Sequence, residues 1–110
     1  MNGLAGLLHI SRKAGKILFG RTAVFARVKS GRDVLVLIAS DAGSALTRRL
    51  DGPNIMKINM TSAELGEVFA REKLSLVGIT DSNLAAAIRR LIKRESREPS
   101  ADDRIWIKYG

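Results

Sequence analysis

The sequence contains no cysteine, which excludes disulfide staples, thiolate nucleophiles and thiolate-ligated zinc. Small secreted domains usually need such a staple, so its absence points to a reducing compartment. A single histidine, His9, leaves no H-x-E, H-E-x-x-H or paired-histidine metal pattern. Two prolines and no low-complexity run interrupt the 110 residues, a length suited to one hydrophobic core. Long apolar runs are missing as well. The longest, Val34 to Ala39, is about a third of the roughly 20 residues that a membrane-spanning helix requires. The apolar opening MNGLAGLLHI lacks a basic leader and a small-residue cleavage site, so a signal peptide is not expected. The chain reads as soluble and cytoplasmic.

The most informative absence is that of negative charge. Residues 1–32 hold seven Lys or Arg and no Asp or Glu, whereas residues 33–110 hold twelve against eleven. Nearly all of the net charge of +8 therefore belongs to the first third. Solubility does not require carboxylates to be excluded from a contiguous third of a chain. A one-sided basic surface instead matches a polyanionic partner.

What is present alternates between two periodicities. Leu4, Leu7 and Leu8 recur at helical spacing and predict a helix from Gly3 to Ala14, ended by Gly15. A short strand, KILF, precedes Gly20. Val24, Phe25 and Val28 then give Arg21 to Ser30 the apolar stripe of an amphipathic helix closed by Gly31. DVLVLIAS is a continuous β-branched and Leu run, the pattern of a central strand buried on both faces. Asp41 is placed to cap a third helix over 42–50, DGPN breaks the chain, and IMKIN reads as a short strand. TSAE fits a capping box with Thr61 at the N-cap and Glu64 at N3. LSLVGIT is the last strand, and Asp81 or Ser82 starts a long helix through NLAAAIRRLIKR. Helices alternating with strands imply a three-layer α/β/α sandwich with a mostly four-stranded mixed sheet, an α/β domain over residues 1–94. Residues 95–110 read as a polar linker, ESREPSADD, followed by an aromatic tail, RIWIKYG.

Reactive groups do not converge. His9 lies among leucines, where a packed or surface histidine is the simpler reading. Asp41 and Asp81 both follow strands, where α/β active sites lie, but both also stand where helix caps belong. No Gly-rich phosphate motif, metal pattern or cofactor motif is present, so neither cofactor nor metal is expected and catalysis is unsupported. A phosphate site is better motivated. The second helix begins after Gly20 with free backbone N–H groups at its positive end, and Arg21 is placed to clamp the same phosphate. Arg27 lies one turn beyond Ala23 on the outward face, and Arg12, Lys13 and Lys16 lie just upstream. An interfacial membrane helix fails because Val24, Phe25 and Val28 are needed to cover the sheet. No helix-turn-helix, basic zipper or zinc finger supports duplex DNA reading.

LLHISRKAGKILFG, the G-x-x-x-V that opens the second helix, VLVLIASDA, ELGEVFARE and VGITDSNLAAAI occur in this order over residues 4–92. Together they resemble the kink-turn-binding ribosomal protein superfamily, the L-seven-Ae and L-thirty-e proteins, and most of all its small bacterial members. The resemblance implies a three-layer sandwich that binds RNA without catalysis. It also implies a site at Gly20 and Arg21 together with a loop at Arg71, Glu72 and Lys73. Where kink-turn binders carry Asn, Glu and Lys on the second helix to read G·A pairs, this sequence has Thr22, Ala23 and Ala26. Thr22 keeps a hydroxyl, whereas Ala23 and Ala26 have no side-chain polar atom with which to read a base. The loop has charged Arg71 and Lys73 in place of apolar residues, and Ala70 stands where a helix-ending Gly is frequent.

The expectation is thus a ribonucleoprotein component that grips structured RNA, of kink-turn or ribosomal type, mainly through phosphates. The RNA-binding residues expected are Arg12, Lys13, Lys16, Gly20, Arg21, Thr22, Arg27, Arg71 and Lys73. The alternative is a protein-interaction adaptor on the same fold, with RIWIKYG adding to a partner's sheet edge. The simpler reading of that tail is a disordered or loosely docked end, and a third is that Trp106 and Tyr109 stack on bases.

Overall fold

The computed structural model describes residues 3–50 and 52–103. Along them run α1 (Gly3–Lys13), β1 (Ile17–Phe19), α2 (Gly20–Lys29), β2 (Leu35–Ile38), α3 (Ser44–Arg49), β3 (Ile55–Lys57), α4 (Ser62–Val68), β4 (Leu76–Ile79) and α5 (Ser82–Asp103). The strands form one sheet in the order β1-β4-β2-β3. β4 pairs antiparallel with β1 and β2, and β2 pairs parallel with β3. The sheet is therefore mixed, and the fold is the α/β/α sandwich that the sequence implies.

The run DVLVLIAS explains the layering. β2 is an inner strand, and a strand sends successive side chains to opposite faces. Leu35, Leu37 and Ala39 join the cluster built with α1, α4 and α5, while Val34, Val36 and Ile38 join the cluster built with α2 and α3. Both faces are thus covered, so every residue from Val34 to Ala39 is apolar. Each fully buried Leu, Ile or Val contributes about 1.5–3 kcal/mol relative to exposure.

Helix α2 packs onto β4 where that strand carries Gly78. A Cβ on Gly78 would lie 2.9 Å from Val34 Cγ2 and 3.3 Å from Val24 Cγ2. The missing side chain leaves room for Val24, which is wholly buried.

Most helix ends follow the sequence. Gly15, at φ 70, closes α1, with its N–H donating to the Arg12 carbonyl and the Lys16 N–H to that of Ser11. Thr61 and Glu64 form the reciprocal capping box of α4, and Asp81 Oδ2 accepts the Leu84 N–H at 2.9 Å at the start of α5. Asp41 differs. The N-cap of α3 is Gly43, with no side-chain acceptor, and Asp41 reaches instead to α4, accepting the Ser62 N–H at 2.8 Å and its hydroxyl at 3.1 Å. A cap on the next helix in space satisfies the carboxylate as well as one on the next helix in sequence.

The backbone of α5 continues to Asp103, so residues 95–103 extend the helix where the sequence suggests a linker. Glu95, Arg97, Glu98 and Ala101 are strong helix formers, and polarity alone does not separate a helix from a linker. The tail RIWIKYG, with Trp106 and Tyr109, lies outside the described residues. No helix among the described residues is long and apolar enough to cross a membrane.

Gly78→Ala is expected to destabilise the fold by about 1–3 kcal/mol in urea denaturation through overpacking. Val34→Ala in the same chain is expected to recover part of that loss, and strict additivity of the two substitutions would show that the added methyl does not crowd Val34.

Candidate functional site

β1 ends at Phe19, which is also the N-cap residue of α2, in extended conformation at φ −111 and ψ 131. A phenyl ring has no acceptor, so no side chain caps the first backbone N–H groups of α2. Gly20 follows at φ 84, a conformation that an L side chain rarely adopts, and this turns the chain from strand to helix without a linker. Arg21 and Thr22 stand exposed on the first turn of α2. The result is a helix terminus with partial positive charge, open donors and a guanidinium beside them.

The end of α4 meets this terminus. Its C-cap is Phe69, and the rings of Phe19 and Phe69 pack edge-on with centroids 4.9 Å apart at 74°. Ala70 then takes φ 57, and the N–H groups of Ala70 and Arg71 donate to the carbonyls of Glu67 and Gly66. This is the same reversal that Gly15 makes at the end of α1, here made by a residue with a Cβ. Gly66 lets the reversal fold tightly, since a Cβ there would sit 2.8 Å from the Arg71 carbonyl oxygen and 2.9 Å from the Lys73 backbone. The loop delivers Arg71 onto the corner, with the guanidinium carbon 4.3 Å from the centroid of the Phe19 ring.

An arginine laid on an aromatic face keeps its N–H fork in the guanidinium plane, available for a bidentate anion. Among the described residues, the side chains of Arg21 and Arg71 have no hydrogen-bond or ion-pair partner. Gly20, Arg21, Thr22 and Arg71 are therefore brought to one corner. Lys73 is at the same end of the sheet, close enough to Asp41 to act on its carboxyl.

The remaining cations named by the sequence lie elsewhere. Lys16 sits at the far end of β1, its carbonyl accepting the Thr80 N–H, whereas Phe19 pairs with Val77. Three strand residues, about 10 Å, separate the two ends. Arg12 and Lys13 occupy the last turn of α1, exposed. Arg27 is about 10 Å along α2 from Gly20, and its Nε donates to the Asp33 carbonyl at 2.9 Å, tying the end of α2 to the loop before β2. One arginine escapes the sequence reading: Arg49, at the end of α3, lies over Phe25 of α2 at 4.7 Å from the ring centroid. No sequence spacing signals it, because the contact arises only when α3 packs Leu46 and Leu50 beside α2.

Asp41 and Asp81 cannot act together. β2 and β4 are antiparallel, so the residues that follow them emerge at opposite ends of the sheet. A groove of about 300 Å³ opens at the Asp81 end, where Asp81 caps α5 and Arg89 holds the Pro53 carbonyl, so these charges are already engaged. His9 is exposed and packs its ring near that of Phe69, at a centroid distance of 6.2 Å. Among the described residues, no group of three or more His, Cys, Asp or Glu is placed to hold a metal ion.

No family model and no curated protein matches the sequence. A solved structure shares the fold. It is that of a protein of unknown function from Bacillus halodurans, similar with a TM-score of 0.76 over 84% of this chain and 99% of that one. At 23% identity the likeness establishes the architecture alone.

Ala70→Gly is expected to stabilise the protein by about 0.5–1 kcal/mol in denaturant titrations, because relief of the left-handed strain exceeds the added freedom of the unfolded chain. A loss of stability would show that the Ala70 methyl makes a contact worth more than that strain. Asp41 yields a pH signature. The Ser62 backbone N–H does most to hold its carboxyl below the ordinary value of 3.8, aided by the Ser62 hydroxyl and the Lys73 charge against the opposing cost of desolvation. A depressed native value means stability that is present above pH 3.8 and lost as pH falls through the lower native value. Asp41→Asn is accordingly expected to be less stable than wild type at pH 7, and the two melting curves are expected to converge below pH 3.8.

Proposed function

We propose that the protein is a non-catalytic, cytoplasmic RNA-binding protein that grips structured RNA through phosphates at the corner between β1, α2 and the loop 70–73. The observation that carries this reading is the Arg71–Phe19 stack, which holds an unpaired guanidinium beside the uncapped start of α2 and Arg21. Three devices suited to phosphate thus share one corner: open backbone N–H groups, an exposed arginine fork and a stacked arginine fork. The resemblance to the kink-turn-binding superfamily supports the same corner. Thr22, Ala23 and Ala26 supply little base-reading chemistry, so affinity rests on the backbone of the RNA and discrimination is weak.

If the corner neutralises about three phosphates, log affinity for an RNA hairpin with an internal loop of tandem G·A pairs falls with log salt at a slope of roughly −2 to −3. Arg21→Ala and Arg71→Ala are each expected to weaken binding about 10-fold, the size of one charged hydrogen bond. Replacing Arg12, Lys13 and Lys16 together with Ala is expected to cost less than Arg21→Ala alone. Disrupting the G·A pairs is expected to change affinity by less than about 5-fold, below the discrimination of one good base contact. No binding at 50 mM salt overturns the reading. Partners that survive complete nuclease digestion of a purified complex would favour the adaptor instead.

A further inference from the structure

The arrangement around α2 is not confined to its first turn. Phe25 belongs to the cluster between α2 and α3, where Leu46 and Leu50 are buried. That packing places the last turn of α3 beside α2, and Arg49 lays its guanidinium on the outer face of Phe25. Arg49 is exposed, and among the described residues it has no hydrogen-bond or ion-pair partner. Arg21 lies one turn before Phe25 on the same stripe of α2, so their Cβ atoms are about 6 Å apart.

Two arginines therefore rest on phenyl rings along α2, one at its start and one about a turn and a half further on. Phe19 packs with the α1, α4 and α5 layer and carries Arg71, while Phe25 packs with the α2 and α3 layer and carries Arg49. A guanidinium held on a ring has already lost part of its rotational freedom, so less entropy remains to be lost when it closes on an anion.

The geometry points to Arg49 as a further phosphate-binding residue of the same RNA site, extending it from the start of α2 across to α3, with Phe25 as its positioning platform. This rests on the RNA-binding reading and adds to it a contact further along α2, toward α3. The RNA accommodated is one whose phosphates run from the start of α2 toward the end of α3.

The full-length chain and its Arg49→Gln and Arg49→Lys variants test this with the same G·A-loop hairpin, titrated between 50 and 200 mM KCl. Arg49→Gln is expected to weaken binding about 5- to 10-fold at the lower salt and to reduce the magnitude of the salt slope by about 0.7–0.9, one phosphate. Arg49→Lys is expected to keep the slope yet bind about 2- to 3-fold more weakly than wild type, since an ammonium keeps the charge without the planar fork. Thermal melts of the three proteins separate this from a structural role, because an arginine that only complements the α3 dipole alters the melting temperature and leaves the slope unchanged. If wild type binds and Arg21→Ala weakens it while Arg49→Gln matches wild type in affinity and slope, the proposal for Arg49 is overturned and the RNA reading stands. If wild type shows no binding, both are overturned.

Discussion

The ring pair of Phe19 and Phe69 joins two helix ends at the edge of the core cluster they share. Phe19 is the N-cap of α2 and Phe69 is the C-cap of α4, and their edge-on contact fixes one terminus against the other. Such a pair contributes about 0.5–1.5 kcal/mol beyond the area it buries, and its directionality matters as much as its strength. With the rings in place, the reversal at Ala70 aims Arg71 across the Phe19 face. Without them, β1 would end in an uncapped helix start with a mobile arginine nearby. The corner exists because an aromatic residue occupies a capping position that usually holds Ser, Thr, Asp or Asn.

The fold redistributes a charge excess that is contiguous in sequence. Arg12, Lys13 and Lys16 gather near the end of α1 and the start of β1, Arg21 stands at the other end of β1, and Arg27 is turned to the backbone at Asp33. In exchange, the corner gains Arg71 from a segment fifty residues downstream of Arg21, and the flank of α2 gains Arg49. Local charge density in the chain and local charge density on the surface are thus different quantities. The second is the one that a polyanion meets.

Features set by neighbouring residues are legible without coordinates. The uniformly apolar β2 announces a strand covered on both faces, Gly15 announces a helix end, and Thr61 with Glu64 announces a helix start. Features set by packing are not. Asp41 caps α4 through Ser62, 21 residues away, and nothing in the intervening sequence distinguishes that from a cap on α3. Phe19 and Phe25 look like ordinary core residues, and only the approach of α4 and α3 makes each a seat for an arginine. The left-handed Ala70 is likewise hidden, because the residue type argues against the conformation that its surroundings impose.

The pairing of β1 with β4 has a consequence for the order of assembly. Ile17 pairs with Ile79 and Phe19 with Val77, so the strand that ends at the corner finds its only partner strand among the described residues about 60 residues later in synthesis. Closing that loop must precede any gain from the contact. The cation-rich first third therefore leaves the ribosome before its strand can be paired. The corner is complete only once β4 has joined the sheet, and a chain truncated before residue 77 would carry the charge without the site.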